Sequence, residues 1–341
     1  MKRKLFITAA VLLAAAVLGC MLYKNQKVQN TSAHKPKVIA TIFPQYDFAR
    51  AIGGDRIDLS MLLRPGADSH SYAPSPQEVV DVQNCDLFIY VGGEHEAWAE
   101  KLAHTRSSNG TLRLIDQVSL LKWNPDEIEH MTGASGDHGE HEEHEHEHEG
   151  HEHEGDEEHE HDEHAHEYDE HIWTSPINAQ KIASAIAERL ALIDPENASF
   201  YRMNAEKYST ELYRLDEDFK KTIASSKRRV VVFGDRFPFR YMAKEYGLIP
   251  FSAFAGCTSD SEPSAASVAY LINKVKAENI PIVFHIELSN EKIADAICRE
   301  TGARKLILHS CHNLSLADFE GGATYTGLMR KNLENLKEAL N

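Results

Sequence analysis

The chain has 341 residues, with 53 Asp and Glu against 36 Lys and Arg and a formal net charge of −17. Eighteen of the acids lie between Asp137 and Glu170, a stretch without Lys or Arg, so the rest of the chain carries only +1 and offers no basic patch for nucleic acid. The length suits roughly two domains of about 150 residues, and 42% hydrophobic residues are enough for two cores.

At the N-terminus, Lys2, Arg3 and Lys4 precede an apolar run from Leu5 to Leu18 that stops at Gly19-Cys20. This layout reads as a bacterial lipoprotein signal over residues 1–20, with Cys20 as the lipidated residue. The alternative is an uncleaved anchor, since Leu5 to Leu22 approaches the roughly 18 residues needed to span a bilayer. Either way the globular part is expected outside the cytoplasmic membrane, on a polar tether over residues 21–36.

From Lys37 onward, short apolar runs alternate with helical stretches. Val38 to Phe43 and Leu87 to Val91 read as buried strands, while Tyr46 to Ile52, Pro76 to Gln83 and Glu96 to Thr105 read as helices. After a histidine-rich tract, Pro195 to Ser225 runs for about thirty residues without Gly or internal Pro, and Asp194-Pro195 suits a helix start. The pattern then repeats: strands at Arg229 to Phe233, Ile282 to Ile286 and Lys305 to Leu308, helices at Phe239 to Tyr246 and Asn290 to Glu300. Strand and helix in alternation predict an α/β chain of two parallel-sheet lobes, residues 37–194 and 228–341. A single long rigid helix over 195–227 would join them, with a cleft between the lobes. In the alternative arrangement that helix belongs to the outer layer of one lobe.

The tract within residues 133–170 alternates His with Asp and Glu almost strictly. His141, His144, His146, His148, His151, His153, His159, His161, His164 and His166 are candidate metal collectors, because imidazole binds Zn, Cu and Ni and the carboxylates concentrate cations. Its composition predicts no fixed structure when empty. The cysteines beyond Cys20, namely Cys85, Cys257, Cys298 and Cys311, match no zinc-knuckle or CxxC spacing, and sequence does not rank their possible pairings. His34 and His104 read as solvated, and His95 reads the same way apart from its place just after a strand end.

Four segments carry a resemblance: RPGADSHSYAPSP around His70, DEHIWTSP from Asp169 to Pro176, RYMAKEYGL from Arg240 to Leu248, and TYTGLMRKNLENLKEAL from Thr324 to Leu340. Together they make almost the whole mature chain resemble the cluster A-I solute-binding lipoproteins, the zinc, manganese and iron receptors of ABC importers. The resemblance implies metal ligands at His70 and His171. The family's third ligand, a His or Glu, falls on Arg236, which stays protonated and cannot ligate; Asp235 is the nearest substitute, and Arg236 is expected to pair with Glu287. The fourth, an Asp in the family, falls on His309, with Cys311 and His312 close behind. Glu287, two residues after His285, completes the candidate set.

A set rich in imidazole favours Zn(II) over Mn(II). The expected function is therefore that of an extracytoplasmic, lipid-anchored, monomeric receptor that captures Zn(II) between two lobes and delivers it to an ABC permease and its ATPase. The chain has no P-loop of its own. The alternatives are a receptor of the same class for Mn(II) or another divalent metal, an exported metal buffer or adhesin, and an exported zinc hydrolase. Hydrolysis is disfavoured, because HExxH occurs only as the HEHEH of His144 to His148, inside the low-complexity tract, and Glu287 is the sole evident base outside it.

Overall fold

Two four-stranded sheets, both wholly parallel, form the frame. In the computed structural model, which describes residues 35–67, 72–94, 96–106, 110–133, 168–254 and 263–341, the first sheet comprises β1 (Lys37–Ala40), β2 (Asp58–Met61), β3 (Leu87–Tyr90) and β4 (Thr111–Arg113). Its order is β2-β1-β3-β4, with Ile39 opposite both Ser60 and Phe88. The second sheet repeats that order as β6-β5-β7-β8, built from β5 (Val230–Phe233), β6 (Ile249–Ser252), β7 (Ile282–His285) and β8 (Arg304–Ile307). Parallel strands need crossovers, and each lobe supplies helices for them. In the first lobe these include α1 (Phe43–Gly53), α2 (Pro76–Asn84) and α3 (Ala97–His104), with α4 (Pro125–Thr132) following β4.

Local chemistry sets the helix starts. Ser75 caps α2 in a reciprocal capping box with Glu78, and Pro76 occupies the first turn, where its missing N–H costs nothing. Ser175 accepts from Asn178 N and Pro176 again takes the first turn of α5 (Pro176–Ile193), without a reciprocal box. The expected thirty-residue helix is α6 (Ala198–Ala224), about 40 Å long at 1.5 Å per residue. Asp194 is not its cap. A short 3-10 turn, Pro195–Asn197, intervenes, and the Asp194 carboxylate accepts from Asn197 Nδ2 at 2.8 Å and from the Tyr201 hydroxyl at 2.6 Å.

Tyr201, Tyr208, Leu212, Leu215, Phe219 and Ile223 line the buried face of α6, whereas Met203 faces solvent. This face belongs to one continuous apolar cluster that runs from Val38 and Ile89 of the first sheet, through α5 and α6, to Phe233 and Phe284 of the second. The second lobe adds α7 (Arg240–Tyr246), α8 (Ala265–Glu278), α9 (Lys292–Thr301), α10 (Leu316–Glu320) and α11 (Tyr325–Ala339). Tyr325 and Leu336 of α11 enter the same cluster. A shared core of this kind resists separation of the two lobes more than a flexible strand hinge would, because interiors are close-packed.

Several expectations fall on residues outside those described: the signal, the tether up to His34, Cys20, His70, His95, Cys257 and the ten candidate histidines from His141 to His166. Cys85, Cys298 and Cys311 are free thiols. His104 ends α3 on an exposed turn.

Candidate metal centre

In parallel α/β sheets, ligands gather beyond the carboxyl ends of the strands, and the residues singled out from the sequence lie there. β5 leads into Gly234-Asp235-Arg236, β7 into Ile286-Glu287 and β8 into Leu308-His309-Ser310. Gly66 and Ala67, which follow β2 and precede the segment holding His70, line the same cavity as His171, Asp235, Arg236, Glu287, Ser310 and His312. The cavity measures about 540 Å³.

His171 is the most sharply positioned of these. Asp169 Oδ1 accepts both its backbone N–H at 2.9 Å and its ring Nδ1–H at 2.8 Å. A carboxylate can only accept, so the ring proton belongs on Nδ1 and the Nε2 lone pair is left for a cation. Asp169 is 1% exposed and His171 4%. Tyr241 of α7 fixes the backbone here, donating its hydroxyl to the Asp169 carbonyl at 2.7 Å while accepting from Leu121 N at 3.1 Å. Gly93, at φ 103°, permits the approach of the neighbouring Glu170, for a Cβ there would overlap the Glu170 carboxylate.

His312 is the residue sequence reasoning underrated. Its ring lies 5.6 Å from that of His171 and 5.3 Å from that of Trp173, centroid to centroid. Trp173 is itself held by its indole N–H to the Ser310 carbonyl at 2.8 Å and by the Tyr325 hydroxyl on its own carbonyl at 2.6 Å. The only sequence signal was proximity: His312 follows His309 by three residues, just after a strand end.

His309 sits differently. It is 7% exposed and is not among the residues lining the cavity. Its Nδ1 accepts the Cys311 N–H at 2.9 Å, which in the neutral ring puts the proton on Nε2. Asn332 clamps its backbone from both sides, accepting from His309 N and donating to His309 O, each at 2.7 Å.

Glu287 does line the cavity, yet its carboxylate is engaged. Ser310 N donates at 2.7 Å, His312 N at 3.1 Å, and the Ser310 hydroxyl also donates to it. The expected Arg236–Glu287 pair does not form. The loop after β8 folds back over the end of β7, and its amides occupy the oxygens that a guanidinium would need. Asp235 is likewise occupied, accepting from Arg236 N at 2.8 Å and Ile286 N at 3.2 Å. His285 bonds the Ile286 carbonyl and lies 3.7 Å from Glu291, so the strict two-residue pleat stops at the strand end and Glu287 alone reaches the cavity.

Cys311 is fully buried at φ 63°, and burial pushes its thiol well above the usual range. A thiol must lose its proton to ligate, which sets Cys311 apart from the imidazoles. Among the described residues no group of three or more His, Cys, Asp and Glu side chains is arranged to hold a metal. His171 and His312 border the same cavity as Gly66 and Ala67, the last described residues before the segment bearing His70.

The two lobes are tied at that point. Asn313 Nδ2 donates to the carbonyls of Arg64 at 3.0 Å and Ala67 at 2.6 Å, and Gly66 N donates to the Leu314 carbonyl at 2.7 Å. The loop after β8 therefore holds both His312 and the start of the His70 segment.

The chain is similar to the high-affinity zinc uptake system protein ZnuA of Bacillus subtilis, 31% identical over 338 residues, covering 98% of this chain and 97% of that one. It is 29% identical over the same length to the zinc-binding lipoprotein AdcA of Streptococcus pneumoniae, of which it spans only 61%. The crystal structure of the Zn(II)-bound ZnuA-like domain of that AdcA has a similar fold, with a TM-score of 0.68 at 26% identity over 90% of this chain and 99% of that domain. A family model described as zinc-uptake complex component A, periplasmic, matches residues 38–339, and the chain belongs to that family.

Proposed function

We propose that this protein is the extracytoplasmic receptor of a zinc importer. It captures Zn(II) at the cleft face of His171 and His312 and delivers it to a membrane permease driven by a cytoplasmic ATPase. The observation that carries this reading is the Asp169–His171 pair, which leaves one imidazole lone pair aimed for a cation beside a second imidazole. Nitrogen ligands suit Zn(II) better than Mn(II), which prefers oxygen.

In this reading His70 supplies the third imidazole. Glu287 and His309 act mainly through the loop that carries His312, as their engaged atoms suggest. Cys20 bears the lipid that tethers the monomer to the outer face of the membrane. The histidines from His141 to His166 gather ions weakly and pass them to His171. No reaction is required of a receptor, so the protein has no catalytic residues.

Competitive titration of Zn(II) and Mn(II) on a variant lacking residues 137–167 tests this. One tight zinc site that outcompetes manganese and disappears in His171→Ala is expected. Loss of nearly all binding on deletion would instead make the protein a buffer.

A further inference from the structure

The cleft is far larger than a metal ion needs, and its charges are unevenly used. At about 540 Å³ it has the volume of roughly eighteen water molecules and falls among small-molecule pockets. Four charged side chains line it: Asp235, Glu287, Arg236 and Lys292. Both carboxylates are occupied by backbone donors. Neither cation has a carboxylate partner among the described residues; Arg236 and Lys292 form hydrogen bonds there only through their backbone N–H groups. These four charges cancel, and with the Asp169 carboxylate behind His171 the site carries +1 once Zn(II) is bound, in a setting where water is partly excluded and repulsion is strengthened.

We propose that the cleft takes zinc together with a small oxyanion, a carboxylate- or phosphate-bearing chelator, with the metal on the histidines and the anion on Arg236 and Lys292. The proposal rests on the zinc reading above and names the form in which the metal is held. One negative charge on the anion would neutralise the loaded site. The planar guanidinium of Arg236 can grip one oxyanion group through two parallel N–H bonds, while the Lys292 ammonium acts as a point charge on a flexible stem. The anion's remaining oxygens complete the zinc coordination sphere, because a zinc site that is not closed by protein ligands keeps positions for exogenous donors. Metal and anion then bind with positive coupling, each raising the affinity for the other by the same factor.

Equilibrium dialysis of the full exported chain with radiolabelled citrate, and separately with inorganic phosphate, tests this with and without Zn(II). The expected result is one anion retained per chain only when zinc is present. Arg236→Gln and Lys292→Gln should each lower that retention at least tenfold while zinc binding without anion stays within threefold. Retention of citrate alone or of phosphate alone would support the proposal and identify the source of the oxyanion. Tight zinc binding that depends on His171, with neither anion retained or with both variants retaining it like the wild type, would overturn this proposal and leave the zinc reading standing. Zinc binding indifferent to His171→Ala would overturn both.

Discussion

One carboxylate oxygen of Asp169 holds both the backbone and the ring of His171, at 2.9 and 2.8 Å, and its second oxygen is buried with no hydrogen-bond partner among the described residues. A buried acid kept in this state has a positioning role: it selects the Nδ1–H tautomer and increases the basicity of Nε2. Asp169→Asn keeps the shape and removes the charge, and its amide can donate to Nδ1 and select the wrong tautomer. Zinc affinity should fall about 10–100-fold, as for other outer-shell partners of ligating histidines, with the far-UV spectrum unchanged. A competition assay against a zinc-chelating dye reads this; unaltered affinity would show that the pair is merely structural.

His309 and His312 should separate by the same assay. His312→Ala is expected to cost at least tenfold in zinc affinity, since its ring borders that of His171 at the cavity. His309→Ala removes a buried ring whose Nδ1 satisfies the Cys311 amide, so it should lower stability by about 1–3 kcal/mol and change zinc affinity only a few-fold. The opposite ranking would restore His309 as the ligand.

This contrast marks how far the sequence could be read. The two-lobe parallel architecture was legible, because β-branched and aromatic runs such as Val230–Phe233 and Leu87–Tyr90 are buried over most or all of their length and followed by glycine. The edge strand β2 was not, since Asp58 and Ser60 face solvent and only Leu59 and Met61 pack inward. α5 was passed over too, although its Ala- and Ile-rich face is fully buried. At the site, His171 and Glu287 were found at the cavity, but the choice between His309 and His312 depended on how the loop after β8 turns. That turn is fixed by distant partners, Asn332 on α11 and Glu287 after β7, which no local spacing reveals.

Asn313 should matter to both stability and binding. Its amide donates across the lobes to Arg64 and Ala67, and it is 4% exposed. Asn313→Ala leaves two carbonyls without that donor and should cost about 1–3 kcal/mol, visible as a drop of several degrees in the thermal midpoint. Because Ala67 immediately precedes the segment holding His70, zinc affinity should also fall. Asn313→Asp, which keeps the size but cannot donate, should reproduce both losses. Full stability in either variant would mean that the lobes are held by their shared core alone.

Glu96 gives the fold a pH dependence that can be isolated by mutation. Its carboxylate is buried beside the end of β3, where it accepts from Val91 N at 2.6 Å and Gly92 N at 3.4 Å and meets the Thr41 side chain. Burial, aided by the negative charge of Glu170, pushes its pKa from 4.5 up to about 7. The folded form thus holds a proton that the unfolded chain releases at lower pH. Stability from this group is fully present below about pH 4.5 and is lost as pH rises towards 7, by an amount on the order of 3 kcal/mol. Glu96→Gln imitates the protonated acid without titrating. In metal-free protein unfolded by urea, the wild type should therefore lose stability relative to the variant between pH 5 and pH 8, with the two converging at the acid end. Parallel profiles for the two proteins would mean that Glu96 ionises in the fold as readily as it does in water.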